Sequence, residues 1–111
     1  MRPIIVFLSL VLAGSAIAKE APLVEKQGCL LQVDGKTYLK GRCRVWANEY
    51  ATYISSPLKS DKRYGVAIFK DLDSPSSWNG PDAESHTHNP LGPLTRHGDC
   101  WVGPKVKVCV R

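Results

Sequence analysis

The sequence predicts a small, mainly β domain: an antiparallel sheet or sandwich of about six strands, with hairpins, two disulfides and a long ordered loop. Short runs rich in β-branched and aromatic residues alternate with turn residues along the chain. No window of about 11 residues shows a helical hydrophobic stripe. The four cysteines stand in two local pairs, at positions 29 and 43 and at positions 100 and 109.

The first 18 residues, MRPIIVFLSLVLAGSAIA, have the features of a secretory signal peptide. One early charge, Arg2, precedes an apolar run from Ile4 to Ala13 and a small-residue cleavage site that ends at Ala18. The run is shorter than the ~20 residues that a membrane-spanning helix needs. We therefore expect export to the periplasm, no membrane insertion after the leader is removed, and one mature domain of residues 19–111.

The mature chain is mildly basic. Removal of Arg2 with the leader leaves 14 Lys and Arg against 10 Asp and Glu, a net charge of +4. These basic residues are scattered along the sequence without a block of about five like charges, so nucleic-acid binding is not expected. The excess favours approach to an acidic partner protein or an anionic envelope polymer through long-range steering.

The segment CLLQVDGKTYLKGRCRV, which begins at residue 29, predicts a β-hairpin around Asp34-Gly35. An Asp-Gly pair suits a two-residue type I′ turn, because both central positions of that turn need a positive φ. Such a turn places Val33 opposite Lys36. Residues 19–27, before this hairpin, are predicted to be a loose polar lead-in.

The register of this hairpin bears on the first disulfide. In strict register Cys29 lies opposite Lys40 rather than Cys43. A Cys29–Cys43 bridge therefore needs a longer loop or a β-bulge, and Gly41 is the candidate bulge site.

Two further strands are predicted in the middle of the chain. Residues 50–57 (YATYISSP) alternate enough to form a strand that ends at the proline. Residues 64–70 (YGVAIFK) are the most apolar mature run and predict a buried strand. Between them, residues 59–63 (KSDKR) predict a turn or an exposed loop, and residues 45–52 allow one turn of helix at most.

Residues 71–98 predict a long ordered loop that is rich in proline, glycine, serine and aspartate. Long irregular loops in compact domains are usually functional or disordered, and this segment holds too many aromatic, histidine and leucine side chains for a simple linker, among them Trp78, His86 and His88. We expect a short strand around Ser85–His88 within it. The candidate partner-binding residues are Trp78, Asn79, His86, His88, Arg96 and His97.

Trp78, in the stretch SSWNGP, has two possible roles. The preferred prediction is that it caps the core. The alternative is that it is exposed and anchors a partner, since Trp, Tyr and Arg dominate binding hot spots. Trp46 and Trp101 lie within strand-like runs and are predicted to be core residues.

The final segment, CWVGPKVKVCV from residue 100, predicts a second hairpin. Folding back about Pro104-Lys105 places Cys100 directly opposite Cys109, at a Cα separation of ~4.5–5.5 Å that a disulfide tolerates. In an exported chain an even number of cysteines first indicates disulfides. The preferred pairs are Cys29–Cys43 and Cys100–Cys109, each worth ~3 kcal/mol in the chain-entropy model.

Catalytic and metal-binding alternatives have weaker support in the sequence. His86 and His88 would share one face of an extended segment and, with His97 or Asp99, could ligate zinc or copper, but nothing fixes a third ligand. Ser85 beside His86, with Asp82 or Asp99 available, superficially offers a hydrolase triad without any G-x-S-x-G context. Bridged cysteines leave no thiol nucleophile. We therefore expect neither catalysis nor a cofactor.

Three motifs carry a resemblance that spans nearly the whole mature chain: VDGKTYLKGRC at residues 33–43, WNG at 78–80 and SHTHNPLGPLTRHGDCWVG at 85–103, with the closing VCVR. The combination resembles a family of small exported proteobacterial proteins. That family is similar to periplasmic immunity proteins of type VI secretion effectors that attack peptidoglycan with an L,D-transpeptidase-like site.

The resemblance implies a protein that binds a cognate exported toxin as a heterodimer and occludes its active site. Two alternatives stay open. One is an inhibitor of host lysozyme, against which the net charge of +4 argues mildly because animal lysozymes are usually basic. The other is a small periplasmic metal-binding or enzymatic protein that uses His86 and His88.

Overall fold

A computed structural model of the chain describes residues 23–71 and 76–111, and the predicted signal peptide lies outside them. All regular secondary structure in these residues is β. Among them, no helix has the length and apolar character needed to cross a membrane. The strands are β1 (Val24–Val33), β2 (Lys36–Ala47), β3 (Ala51–Ser55), β4 (Gly65–Phe69), β5 (Ser77–Trp78), β6 (Asn89–Pro90), β7 (Thr95–His97), β8 (Cys100–Val102) and β9 (Val106–Cys109).

The nine strands form one antiparallel sheet in the order β6-β5-β4-β3-β2-β1-β9-β8-β7. A flat sheet of this width would hold its edges ~38 Å apart at ~4.8 Å per strand. The edge strands β6 and β7 are joined only by residues 91–94, which reach ~19 Å at most at ~3.8 Å per Cα step. The sheet therefore curls into a half-barrel. The predicted antiparallel β class is confirmed, in a single sheet with more strands than the about six expected.

The hydrophobic core lies on the face that the curl encloses. Side chains alternate between faces along each strand, so Val66 and Ile68 of β4 enter the core while Ala67 faces the other way. Leu91, in the link between the two edge strands, is also a core residue. The buried cluster consists of Cys29, Leu31, Leu39, Cys43, Ile54, Tyr64, Val66, Ile68, Trp78, Leu91, Val106 and Val108.

The first hairpin has the predicted turn. Asp34 and Gly35 both have positive φ, 53° and 80°, and Val33 pairs with Lys36. Strand β1 begins earlier than expected, at Val24, so the predicted lead-in of residues 19–27 is wrong from residue 24 onward. These residues are ordered because they pair with the far end of the long strand β2.

Two register shifts allow the Cys29–Cys43 disulfide, which is present as predicted. The first leaves Tyr38 as the extra residue, so that both Tyr38 and Leu39 contact the core. This shift moves Cys29 from Lys40 to Gly41, next to its partner, with a Cα–Cα distance of 6.0 Å to Cys43. A bulge is therefore used, but the shift that sets the cysteine register is at Tyr38 rather than at Gly41.

The C-terminal hairpin also has the predicted register, with Cys100 opposite Cys109 and a disulfide between them. Both cysteines are buried, yet they lie outside the core cluster, on the opposite face of the sheet. Arg111 lies beside this disulfide, with its Nη2 3.7 Å from Cys100 Sγ. Its carbonyl accepts hydrogen bonds from the amides of Gln27 and Gly28 at 3.2 and 3.0 Å. The second register shift, between Lys26 and Cys29 of β1, is thereby connected to the chain end.

The predicted strands at residues 50–57 and 64–70 are confirmed as β3 and β4. Two other expectations are wrong. Residues 85–88 are irregular, and the strand in this region is β6, Asn89–Pro90, which pairs with the short β5. Trp46 is not in the core: it lies half-buried on the outer face, stacked on Tyr53 with ring centroids 5.4 Å apart.

Candidate partner-binding surface

Two of the six predicted binding residues are buried. Trp78 is 4% exposed and packs on Tyr38 and Tyr64, with ring centroids 4.8 and 6.2 Å away. A side chain that is this deeply buried offers a partner almost no contact area. Trp78 therefore caps the core and is not an exposed anchor. Asn79 is 6% exposed and is likewise a structural residue.

Asn79 organises the start of the long loop through its side-chain amide. Its Oδ1 accepts from the Gly65 amide at 2.9 Å, and its Nδ2 donates to the carbonyls of Arg63 and Glu84 at 2.8 and 2.9 Å. The Glu84 amide donates to the Asn79 carbonyl at 2.9 Å. This residue therefore connects the loop to the segment that leads into β4, and it holds the turn of residues 80–83 in place.

The variant Asn79→Asp is expected to lower the free energy of unfolding by about 2 kcal/mol, because carboxylate oxygens replace the donor that faces two carbonyls. Urea unfolding at neutral pH measures the loss. Asn48→Asp is the matched control, since Asn48 Oδ1 only accepts, from the amides of Tyr50 and Ala51 at 2.8 and 2.9 Å. An equal loss in both variants would contradict the role given to Asn79.

Beyond Asn79, the loop from Glu84 to His88 is exposed, and its side chains contact one another and the loop backbone. His88 Nε2 lies 3.3 Å from the Glu84 carboxylate, and its Nδ1 lies 3.3 Å from the His86 carbonyl. The Ser77 hydroxyl donates to the Thr87 carbonyl at 2.8 Å. The two predicted histidines thus lie in an ordered, exposed loop that comes directly before the edge strand β6.

Arg96 and His97 lie on β7, the opposite edge of the sheet, and both are exposed. The Arg96 guanidinium lies over the Trp101 ring at 4.3 Å from its centroid, and its Nε donates to the Gly98 carbonyl at 2.7 Å. Trp101 packs against the core, as predicted. The exposed candidates therefore form two groups, one before β6 and one on β7, joined along the chain by the short link of residues 91–94.

The geometry of the polar side chains bears on the catalytic and metal alternatives. Ser85 Oγ and His86 Nδ1 are 3.2 Å apart, but the Asp99 carboxylate pairs with Arg111 at 3.8 Å. In residues 23–71 and 76–111 no group of three or more His, Cys, Asp or Glu side chains could hold a metal ion. Within the same residues every cysteine is in a disulfide.

A second surface, on the outer face of β2, was not predicted. Lys40, Arg42, Arg44 and Trp46 occupy alternate positions and therefore share this face, which we call the β2 outer row. The alternation is visible in the sequence KGRCRVW, but the outward orientation depends on which face the curl encloses. Beside the row lies a cavity of about 320 Å³ whose lining includes Arg42, Arg44 and Leu58.

Another open cavity, of about 450 Å³, lies at the turn between β2 and β3 and is lined by Glu49, Tyr50, Phe69, Lys70 and Asp71. Glu49, as a hydrogen-bond partner and as a nearby negative charge, raises the pKa of the Tyr50 phenol. The Lys70 ammonium donates to the Asn48 carbonyl at 2.9 Å. The contact from Lys70 connects the turn between β2 and β3 to the end of β4.

Comparison with protein-family models, with curated proteins and with solved structures finds no significant match to this chain. The class of protein is therefore defined by the structure: an antiparallel half-barrel with two disulfides. Disulfides persist in oxidising compartments, which indicates an exported location.

Proposed function

We propose that this protein is a periplasmic immunity protein that binds an exported peptidoglycan-targeting effector and occludes its active site. The observation that carries the proposal is a disulfide-stapled sheet that presents an ordered, exposed loop. The resemblance of the motifs WNG and GPLTRHGDCWV to exported immunity proteins supplies the class of partner.

Rigidity is what an inhibitor of this kind requires. Association costs conformational entropy wherever a contact segment must become ordered, and a preformed surface avoids that cost. The loop from Glu84 to His88 is held by the buried Asn79 amide and by the Ser77 hydroxyl. The Cys29–Cys43 bridge cross-links β1 to β2, and the Cys100–Cys109 bridge cross-links β8 to β9. An ordered loop on such a scaffold is suited to enter a substrate cleft.

A co-expression assay tests the proposal. A candidate peptidoglycan-targeting effector is exported to the periplasm of a susceptible bacterium, with or without this protein, and growth is followed. We expect this protein to restore growth and to co-purify with the effector as a heterodimer. The paired variant His86→Ala/His88→Ala is expected to weaken the complex while leaving the melting temperature unchanged.

Two controls make this assay decisive. An unrelated exported disulfide protein, expressed at the same level, shows that rescue is specific. The same protein without residues 1–18 remains in the cytoplasm and is expected to give no rescue. Undiminished toxicity in the presence of folded, exported wild-type protein would overturn the proposal.

A further inference from the structure

We propose that the β2 outer row and the adjoining cavity around Leu58 form a docking surface for an acidic segment of a partner protein. This inference rests on the proposed function for the existence of a partner, and it names the partner's chemistry and a contact face away from the Glu84–His88 loop. The charge, the exposure and the spacing of these side chains each favour such an occupant.

The charge of the surface is strongly one-sided. Lys40, Arg42 and Arg44 follow one another at every second position of β2, and Lys59 lines the same cavity from the β3–β4 connection. Glu25 is the carboxylate that lines this cavity, and both its oxygens lie 3.3 Å from Arg42 Nη2. The cavity lining therefore has three cations, Arg42, Arg44 and Lys59, against one carboxylate, and this excess favours an anionic ligand.

Arg44 is positioned to receive a carboxylate. Its Nε donates to the Ser56 carbonyl at 3.2 Å, which holds the half-buried guanidinium in place. In the part of the chain that the structure describes, neither Nη nitrogen of Arg44 donates to a protein acceptor. A guanidinium fixed in this way offers two donors to a carboxylate at a low cost in side-chain entropy.

The apolar side chains on this surface favour a protein as the occupant. Leu58 is 63% exposed at the cavity, and the stacked Trp46 and Tyr53 continue the row at its far end. Trp, Tyr and Arg are the residue types that dominate protein-binding hot spots. An anionic glycan would pair with the cations but leave Leu58 uncovered. An acidic peptide segment that also carries an apolar side chain would pair with the cations and cover Leu58.

The spacing of the cations also fits a polypeptide. Side chains two positions apart on a strand repeat every ~6.6–6.8 Å. An extended partner segment that carries carboxylates at alternate positions has the same repeat. The sequence of the expected ligand is therefore an acidic residue at every second position, interrupted or flanked by an apolar residue.

A phage-displayed library of random dodecapeptides tests this inference and does not require the partner to be identified first. The library is selected on the wild-type protein, and the affinity of the enriched peptides is measured by fluorescence anisotropy. We expect enrichment of acidic peptides that contain an apolar residue. Their binding should weaken at least about tenfold in Arg42→Glu/Arg44→Glu, and it should weaken as salt is raised.

The matched control is Lys36→Glu/Lys105→Glu, which changes the net charge by the same amount at exposed positions away from the row. Selected peptides should bind this control almost as well as wild type, since only long-range attraction changes. The milder pair Arg42→Gln/Arg44→Gln replaces the charge-reversed pair if the latter does not fold. Selection without acidic enrichment, or equal loss in the row and control variants, would overturn the inference.

The co-expression assay separates this inference from the proposed function. If acidic peptides depend on the row but the effector is not neutralised, the surface stands and the immunity role falls. If the effector is neutralised equally well by wild type and by Arg42→Glu/Arg44→Glu, the immunity role stands and the docking surface is wrong.

Discussion

Replacing Trp78 with alanine is expected to lower the free energy of unfolding by about 3–5 kcal/mol, more than any other single substitution proposed for this protein. The indole is 4% exposed and contacts Tyr38 and Tyr64, so its removal leaves a large cavity lined by two aromatic rings. Strand β5 has only two residues, so it cannot close around the vacant space without losing its pairing to β4.

Trp46→Ala is the matched control for this prediction, because it removes the same side chain from the outer face. Trp46 is half-buried and stacks on Tyr53, so its loss is expected to cost about 1 kcal/mol. Urea unfolding monitored by far-ultraviolet circular dichroism measures both values. Equal destabilisation by the two variants would contradict the assignment of Trp78 to the core and of Trp46 to the surface.

The second large effect is expected from loss of the Cys29–Cys43 disulfide. The double variant Cys29→Ala/Cys43→Ala should lose about 3–5 kcal/mol. Opening a loop of 14 residues accounts for ~3 kcal/mol in the chain-entropy model. The rest comes from the core, since both cysteines belong to the buried cluster and their sulfur atoms leave a cavity.

The companion variant Cys100→Ala/Cys109→Ala separates these two contributions. Its loop is shorter, with a sequence separation of 9, and its cysteines lie outside the core cluster. We expect a loss of about 2–3 kcal/mol, smaller than for the first pair. Thermal unfolding of the oxidised variants provides the comparison, and wild type with a reducing agent should lose both contributions. A larger loss at the C-terminal pair would show that core burial adds nothing to the first bridge.

The loss of a disulfide is expected to affect function through the stability of the fold. If the disulfides serve only the scaffold, either double variant should bind a partner with nearly unchanged affinity at a temperature where it remains folded. The exposed groups, His86 and His88 before β6 and Lys40 and Arg42 of the β2 outer row, are expected to affect affinity with little change in stability. The two kinds of variant therefore distinguish scaffold from contact surface.

Several parts of the candidate site required the tertiary structure. Asn79 stands in the turn sequence SWNGP, which predicts an exposed polar residue. In the fold its amide is buried because β4 and the long loop meet there and leave the backbone groups of Gly65 and Glu84 to be satisfied. The predicted strand at residues 85–88 lies instead at Asn89–Pro90, where it pairs with β5.

The sequence by itself determined the β class, the type I′ turn at Asp34-Gly35 and the Cys100–Cys109 register. Each of these follows from interactions within about ten residues, where turn chemistry and strand alternation decide the outcome. Only the tertiary structure decided that Trp78 is buried and Trp46 is not, and that the scattered cations of β2 share an outer face. Alternation divides a strand into two sets of side chains, but the direction in which the whole sheet curls decides which set meets the core.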